Sequence, residues 1–92
     1  MSTDLPVDGV IDGAVLWPAL DPVVRNQIVR VIRGTGKLCL ISKKPGGHFV
    51  LEFLRPHSAP QWALPTWTSD RAQILCGSEA EAVGLAGDFI LP

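Results

Sequence analysis

Two β-rich runs that flank a Pro-Gly-Gly turn constrain the fold of this chain more than any other feature. The runs extend from Lys37 to Lys43 and from His48 to Leu54. The simplest hairpin register places Lys43 opposite His48, and therefore Cys39 opposite Glu52. Because side chains alternate between the faces of a strand, this register predicts one large apolar core face. That face would carry Leu38, Leu40, Phe49, Leu51 and Phe53.

A helix is predicted before the hairpin. Asp21 suits the N-cap, and Pro22 suits the first helical position, where its missing N–H has no partner to lose. Apolar residues then recur at helical spacing as far as Ile32. Gly34 and Gly36 are typical of a helix end in the left-handed conformation.

After the hairpin, Trp62-Ala63-Leu64 predicts a third strand that Pro65 ends. A short helix is predicted from about residue 70 to residue 76, and Gly77 would stop it. The next segment is ambiguous. Ser78-Glu79-Ala80-Glu81 matches a capping box, whereas residues 81–85 also suit an edge strand.

The predicted fold class is therefore α+β, with an N-terminal helix packed on a small antiparallel sheet built on the 37–54 hairpin. Ninety-two residues suit a single domain. Residues 1–13, which alternate Asp with Pro and Gly, are expected to form a loose N-terminal arm, and residues 14–92 the domain itself.

The stretch Ala63-Leu64-Pro65-Thr66-Trp67-Thr68-Ser69 resembles a step found in the N-terminal domain of SseB-type proteins. It is also similar to short uncharacterised bacterial proteins with an "LP-x-W" step after a hairpin. The resemblance covers roughly residues 21–91 and favours the strand at 81–85. It implies a small α+β domain without established catalytic residues. The chain departs from the pattern because it stops where SseB-type proteins continue into a second domain.

Charge argues against a nucleic-acid partner. The chain has 8 basic and 9 acidic residues, whereas phosphate binding needs clustered Lys and Arg. No apolar run approaches the roughly 18 residues of a membrane span, and the first residues, Met1-Ser2-Thr3-Asp4, do not show the basic start of an export signal. Cys39 and Cys76 lie in apolar runs and are interpreted as buried thiols of a cytoplasmic protein.

No catalytic constellation, metal site or cofactor is predicted. Cys39, Cys76, His48 and His57 lack the paired spacing of a zinc site. The glycines of the hairpin turn precede a strand, whereas a phosphate loop leads into a helix.

The tryptophans are the best candidates for a binding surface, because Trp concentrates in cores and at interface hot spots. The candidate binding residues are Trp62, Leu54, Pro60 and Trp67. Trp67 is also a core candidate, since it stands where the resembled families carry an aromatic residue.

Three functions follow as hypotheses. The first is a non-catalytic protein-binding accessory domain that binds another protein or itself, as a homodimer. The second is a small-ligand-binding or enzymatic domain with a sheet-edge pocket that uses His48, Glu52 or His57. The third is an inhibitor or immunity-type protein from a mobile element.

Overall fold

The structure, a computed structural model, describes residues 9–91 apart from the side chain of Ala19. It is a mixed α+β fold with one sheet of seven strands and two α-helices in the described residues. The strands are β1 (Val10–Ile11), β2 (Ala14–Val15), β3 (Ile28–Gly34), β4 (Lys37–Lys43), β5 (Phe49–His57), β6 (Thr66–Ser69) and β7 (Ile74–Cys76). The helices are α1 (Pro22–Gln27) and α2 (Glu79–Ile90), and a 3₁₀ turn spans Trp17–Leu20. The strand order is β1-β2-β6-β5-β4-β3. β7 pairs with the first residues of β5, on the same edge where β6 pairs with its last residues.

The predicted hairpin is β4–β5, but its register differs from the prediction by one residue. Lys43 pairs with Phe49, and Cys39 pairs with Phe53 rather than with Glu52. The turn holds five residues, with the amide of Lys44 donating to the carbonyl of His48. A slip of one residue moves every side chain of β5 to the other face relative to β4. The single apolar face that the simpler register predicted is therefore wrong, and both faces are apolar.

The predicted N-terminal helix is wrong beyond Gln27. Asp21 caps α1 as expected, and its Oδ1 accepts from the amide of Val23 at 2.9 Å. Residues 28–34 then form β3, because four of the first five are β-branched and favour a strand. Gly36, with φ of 65°, makes the turn into β4 instead of ending a helix.

The helix that packs on the sheet is C-terminal, so the predicted strand at 81–85 is wrong as well. The Ser78 side chain accepts from the amide of Glu81 at 3.1 Å, and Glu81 Oε1 accepts from the amide of Gly77 at 2.8 Å. The first bond satisfies an amide that the first turn of α2 leaves unpaired, and the second ties the residue before the N-cap to that turn. The local capping signal prevailed over the strand pattern, because α2 buries Ala82, Ala86 and Phe89 along one face.

Two further predictions in the segment after the hairpin are wrong. Residues 62–64 form an exposed loop rather than a strand. The strand begins at Thr66, past Pro65, which has no N–H to donate to a ladder. The predicted helix at 70–76 is a bend followed by β7, which pairs with the first half of β5.

Of the predicted N-terminal arm, residues 1–8 lie outside the described residues. Residues 10 and 11 belong to the sheet, since β1 pairs with β2 around a turn at Asp12 and Gly13. β2 in turn lies parallel to β6 through the Val15–Thr66 pair.

The sheet carries an apolar cluster on each face. One face holds Ile11 of β1 and Ala14 of β2, together with Leu16, Trp67 and parts of β3, β4 and β5. The other face lies under α2, where Phe53 and Phe89 meet edge to face with their centroids 5.0 Å apart. Ala82 and Ala86 are fully buried there, and their small side chains let the helix lie close to the sheet. A domain of this size buries only a modest fraction of its surface on folding, so few residues form this core.

We expect Ser78→Ala to lower the free energy of unfolding by about 1 kcal/mol, because it removes the N-cap acceptor of α2. Urea denaturation measures the change. Ser78→Asp is the matched control, since Asp is an equally good N-cap and should keep the stability. Equal stability of all three proteins would contradict the capped helix.

Candidate functional site

Three large apolar side chains stand exposed around one surface groove. Trp17, Trp62 and Leu64 are 61%, 44% and 45% exposed. The groove has a volume of about 320 Å³, and Val15 and Thr66 contribute to its lining. Large exposed apolar side chains that gather at one place on a small protein are typical of a binding surface.

The backbone beneath the groove is fixed by the junction of β2 and β6. The amide of Val15 donates to the carbonyl of Pro65 at 2.8 Å. Leu16 is fully buried and its amide donates to the carbonyl of Gly9 at 2.7 Å, so the chain is anchored where it turns outward at Trp17. On the opposite rim, the amide of Trp62 donates to the carbonyl of Ala59 at 2.9 Å in a turn. Both indoles are therefore presented from restrained backbone.

The groove is uncharged. Its lining within residues 9–91 consists of Val15, Trp17, Gln61, Trp62, Ala63, Leu64 and Thr66. An apolar lining with a few hydroxyl and amide groups suits an apolar partner whose polar edges can be satisfied at the rim.

The structure separates the four residues predicted for binding into two pairs. Trp62 and Pro60 are exposed in the loop between β5 and β6, with Trp62 at the groove. Leu54 and Trp67 are each 4% exposed and belong to the cluster on the β1–β2 face of the sheet. The Trp67 indole donates from Nε1 to the carbonyl of Ile11 at 2.9 Å. Leu54 and Trp67 therefore act from within the core rather than at the surface.

Sequence reasoning missed Trp17 and Leu64 as surface residues. Leu64 lies in the predicted strand 62–64, and Trp17 ends the apolar run Ala14-Val15-Leu16-Trp17. Apolar runs of this kind normally mark buried segments. The signal that distinguishes them is the proline after each residue, Pro18 and Pro65. A proline ends a strand ladder, so the apolar residue just before it need not be buried in a sheet.

The residues of the ligand-binding hypothesis do not converge. Glu52 points to the face that carries Leu40, its pairing partner, whereas His57 lies at the far end of β5 on the opposite face. His57 hydrogen-bonds to Thr68 through Nδ1. His48 is exposed in the hairpin turn. Among residues 9–91, no group of three His, Cys, Asp or Glu side chains is placed to hold a metal ion.

Both cysteines are buried and unpaired, and both lie in the cluster under α2. Burial raises the pKa of Cys39 from 9.0 to about 11, partly offset by the positive charge of Arg71. Burial also raises the pKa of Cys76, and the carboxylate of Glu81 raises it further. A nucleophilic cysteine needs the opposite shift, because the thiolate is the reactive form.

The chain matches no protein-family model, no curated protein and no solved structure. The resemblance to SseB-type proteins therefore stays a prediction. Neither helix within the described residues has both the length and the apolar character that a helical membrane crossing requires.

The stability of the protein should fall as the pH rises from 9 toward 11, in part because Cys39 resists ionisation in the fold. Its folded pKa of about 11 lies above the ordinary value of 9.0. The stabilisation is thus complete below pH 9 and is lost as the pH passes through the folded value. Relative to Cys39→Ala, the native chain should lose roughly 2 kcal/mol more over this interval.

Urea denaturation at both pH values, with reductant present, measures this difference. All other ionisable groups are common to the two proteins, so their contributions cancel in the comparison. Parallel losses in the two proteins would contradict the assignment of the pH dependence to Cys39.

Proposed function

We propose that this protein is a non-catalytic accessory domain that binds another protein through the groove between Trp17 and Trp62. The observation that carries the proposal is the group of exposed indole and leucine side chains around an uncharged groove. Trp is the residue most enriched at binding hot spots, where burial of a rigid aromatic ring gives much contact area for little lost side-chain entropy.

The partner is expected to present aliphatic or aromatic side chains. Charged groups would lose hydration on entering this groove without gaining a counter-charge from its lining. The amide of Gln61 and the hydroxyl of Thr66 supply the polar contacts that would orient the bound segment.

The apolar lining of the groove would also suit a second copy of the chain as the partner, and a net charge of −1 gives little repulsion between copies. Binding to a distinct protein is the version we favour, because Trp17 and Trp62 form the walls of a concave groove that a protruding segment fills. An inhibitor or immunity-type role would be one instance of this activity, with a single host protein as its partner. Two unpaired thiols support the proposed cytoplasmic location.

Leu64→Ala and Trp62→Ala should each weaken partner binding by at least about 1–2 kcal/mol, or roughly tenfold, while leaving the fold intact. Leu75→Ala is the matched control, since Leu75 is 67% exposed on β7 and does not line the groove. The partner is first captured from host lysate with the tagged chain. The affinities of the purified pair are then measured by titration calorimetry for all four proteins.

Loss of affinity in Leu64→Ala and Trp62→Ala with retention in Leu75→Ala supports the proposal. Equal affinity in all four proteins would reject the groove as the binding site. Light scattering on the chain alone separates self-association from binding to a distinct protein. If copies of the chain bind each other through the groove, the groove variants lower the mass of the assembly.

A further inference from the structure

A second pocket lies where the C-terminal end of α2 meets β4, β5 and β7. Its volume is about 340 Å³, within the range of small-molecule sites. Phe53 and Phe89 form part of its wall, and three cationic side chains surround them: Lys37, Arg55 and Arg71. Within residues 9–91, no described residue lines both this pocket and the groove of the proposed function, so the two proposals are tested separately.

The three cations converge on one aromatic ring. Lys37 Nζ, Arg55 Cζ and Arg71 Cζ lie 5.4, 5.5 and 4.7 Å from the centroid of Phe89. Arg71 also lies 5.2 Å from the centroid of Phe53. The negative face of an aromatic ring attracts each cation, but it does not cancel the repulsion between them. The Asp70 carboxylate, which pairs with Arg55 and Arg71, offsets part of that repulsion, and a bound anion would relieve more of it.

Each of the two guanidinium groups carries five N–H donors, more than the single Asp70 carboxylate that they share can accept. Asp70 pairs with Arg55 and Arg71 through the Nε atom of each, at 3.0 and 3.5 Å. Stacking and the Asp70 pairs hold the guanidinium planes in place, and a planar fork of N–H groups matches the two oxygens of a carboxylate or phosphate.

The remainder of the wall is apolar, with Ile74, Leu85 and Leu91 beside the charged groups. One carboxylate, Asp88, also lines the pocket and opposes an anion there. We propose that this pocket binds a small organic oxyanion, a carboxylate or a phosphate monoester, whose apolar body packs against Ile74 and Leu85.

The test is an NMR titration of the Nε–Hε signals of Arg55 and Arg71 with three probes: phenyl phosphate, 3-phenylpropionate and inorganic phosphate. We expect saturable shifts of both signals with at least one phenyl probe at up to about 10 mM. Phenyl phosphate should bind several-fold more tightly than inorganic phosphate, because only the former covers the apolar wall. The two phenyl probes distinguish a phosphate ligand from a carboxylate ligand.

Three substitutions make the test specific. Arg71→Gln should weaken binding at least about tenfold, because it removes a charged donor pair. Arg33→Gln, at an exposed position on β3 outside the pocket, should leave the affinity unchanged. Asp88→Asn should tighten binding, since it removes the one opposing charge in the lining, and a general loss of stability would not produce this result.

Linear, unsaturated shifts of the wild-type signals with all three probes would overturn the proposal. So would equal affinities in Arg71→Gln and Arg33→Gln. The wild-type titration needs no variant, so it decides the question even if a substitution impairs folding.

Discussion

The hydrogen bond from the Trp67 indole to the carbonyl of Ile11 is the contact on which the remainder of the structure depends. It lies inside the cluster on the β1–β2 face, and a buried donor or acceptor left without a partner there would destabilise the fold by about 1–3 kcal/mol. The bond ties the short strand β1 to β6, and β2, paired to both, is held between them. The Val15–Thr66 pair is part of the groove lining, so the placement of the exposed Trp17 and Trp62 depends on the buried Trp67.

The helix α2 performs the corresponding task on the other face. Ala82 and Ala86 let it approach the sheet, and Phe89 then reaches Phe53 at its C-terminal end. The same ring that completes this core is the ring on which Lys37, Arg55 and Arg71 converge. Lys37 Nζ also donates to the carbonyl of Phe89 at 3.0 Å, where a cation suits the negative end of the helix dipole. Burial of Phe89 and assembly of the cationic pocket are thus one structural event.

The sequence predicted the α+β class, the 37–54 hairpin, the cap at Asp21 and the burial of both cysteines, because each rests on local chemistry. It failed where two local signals competed. The run from Ile28 to Ile32 fits a helical period and a β-branched strand, and its pairing with β4 decided for the strand. Ser78 to Glu81 fits a capping box, whereas residues 81–85 also fit a strand, and the packing of Ala82, Ala86 and Phe89 favours the helix. Of the three exposed apolar side chains at the groove, the sequence predicted Trp62 as a binding residue and missed Trp17 and Leu64. The cationic pocket could not be predicted from the sequence, because residues 37, 55, 71 and 89 are distant in sequence and only the fold brings them together.

The two proposed sites rest on opposite physical effects, so one solution variable separates them. Binding in the groove depends on removal of apolar surface from water, which sulfate salts strengthen by their exclusion from protein surfaces. Binding in the pocket depends on charge, which dissolved ions screen. Sulfate is itself an oxyanion that the guanidinium groups would accept. Sodium sulfate should therefore favour occupation of the groove between Trp17 and Trp62 while it displaces a ligand from Arg55 and Arg71. If sodium sulfate instead weakens both binding events together, the salt acts on the fold that carries both sites rather than on each site through its own chemistry.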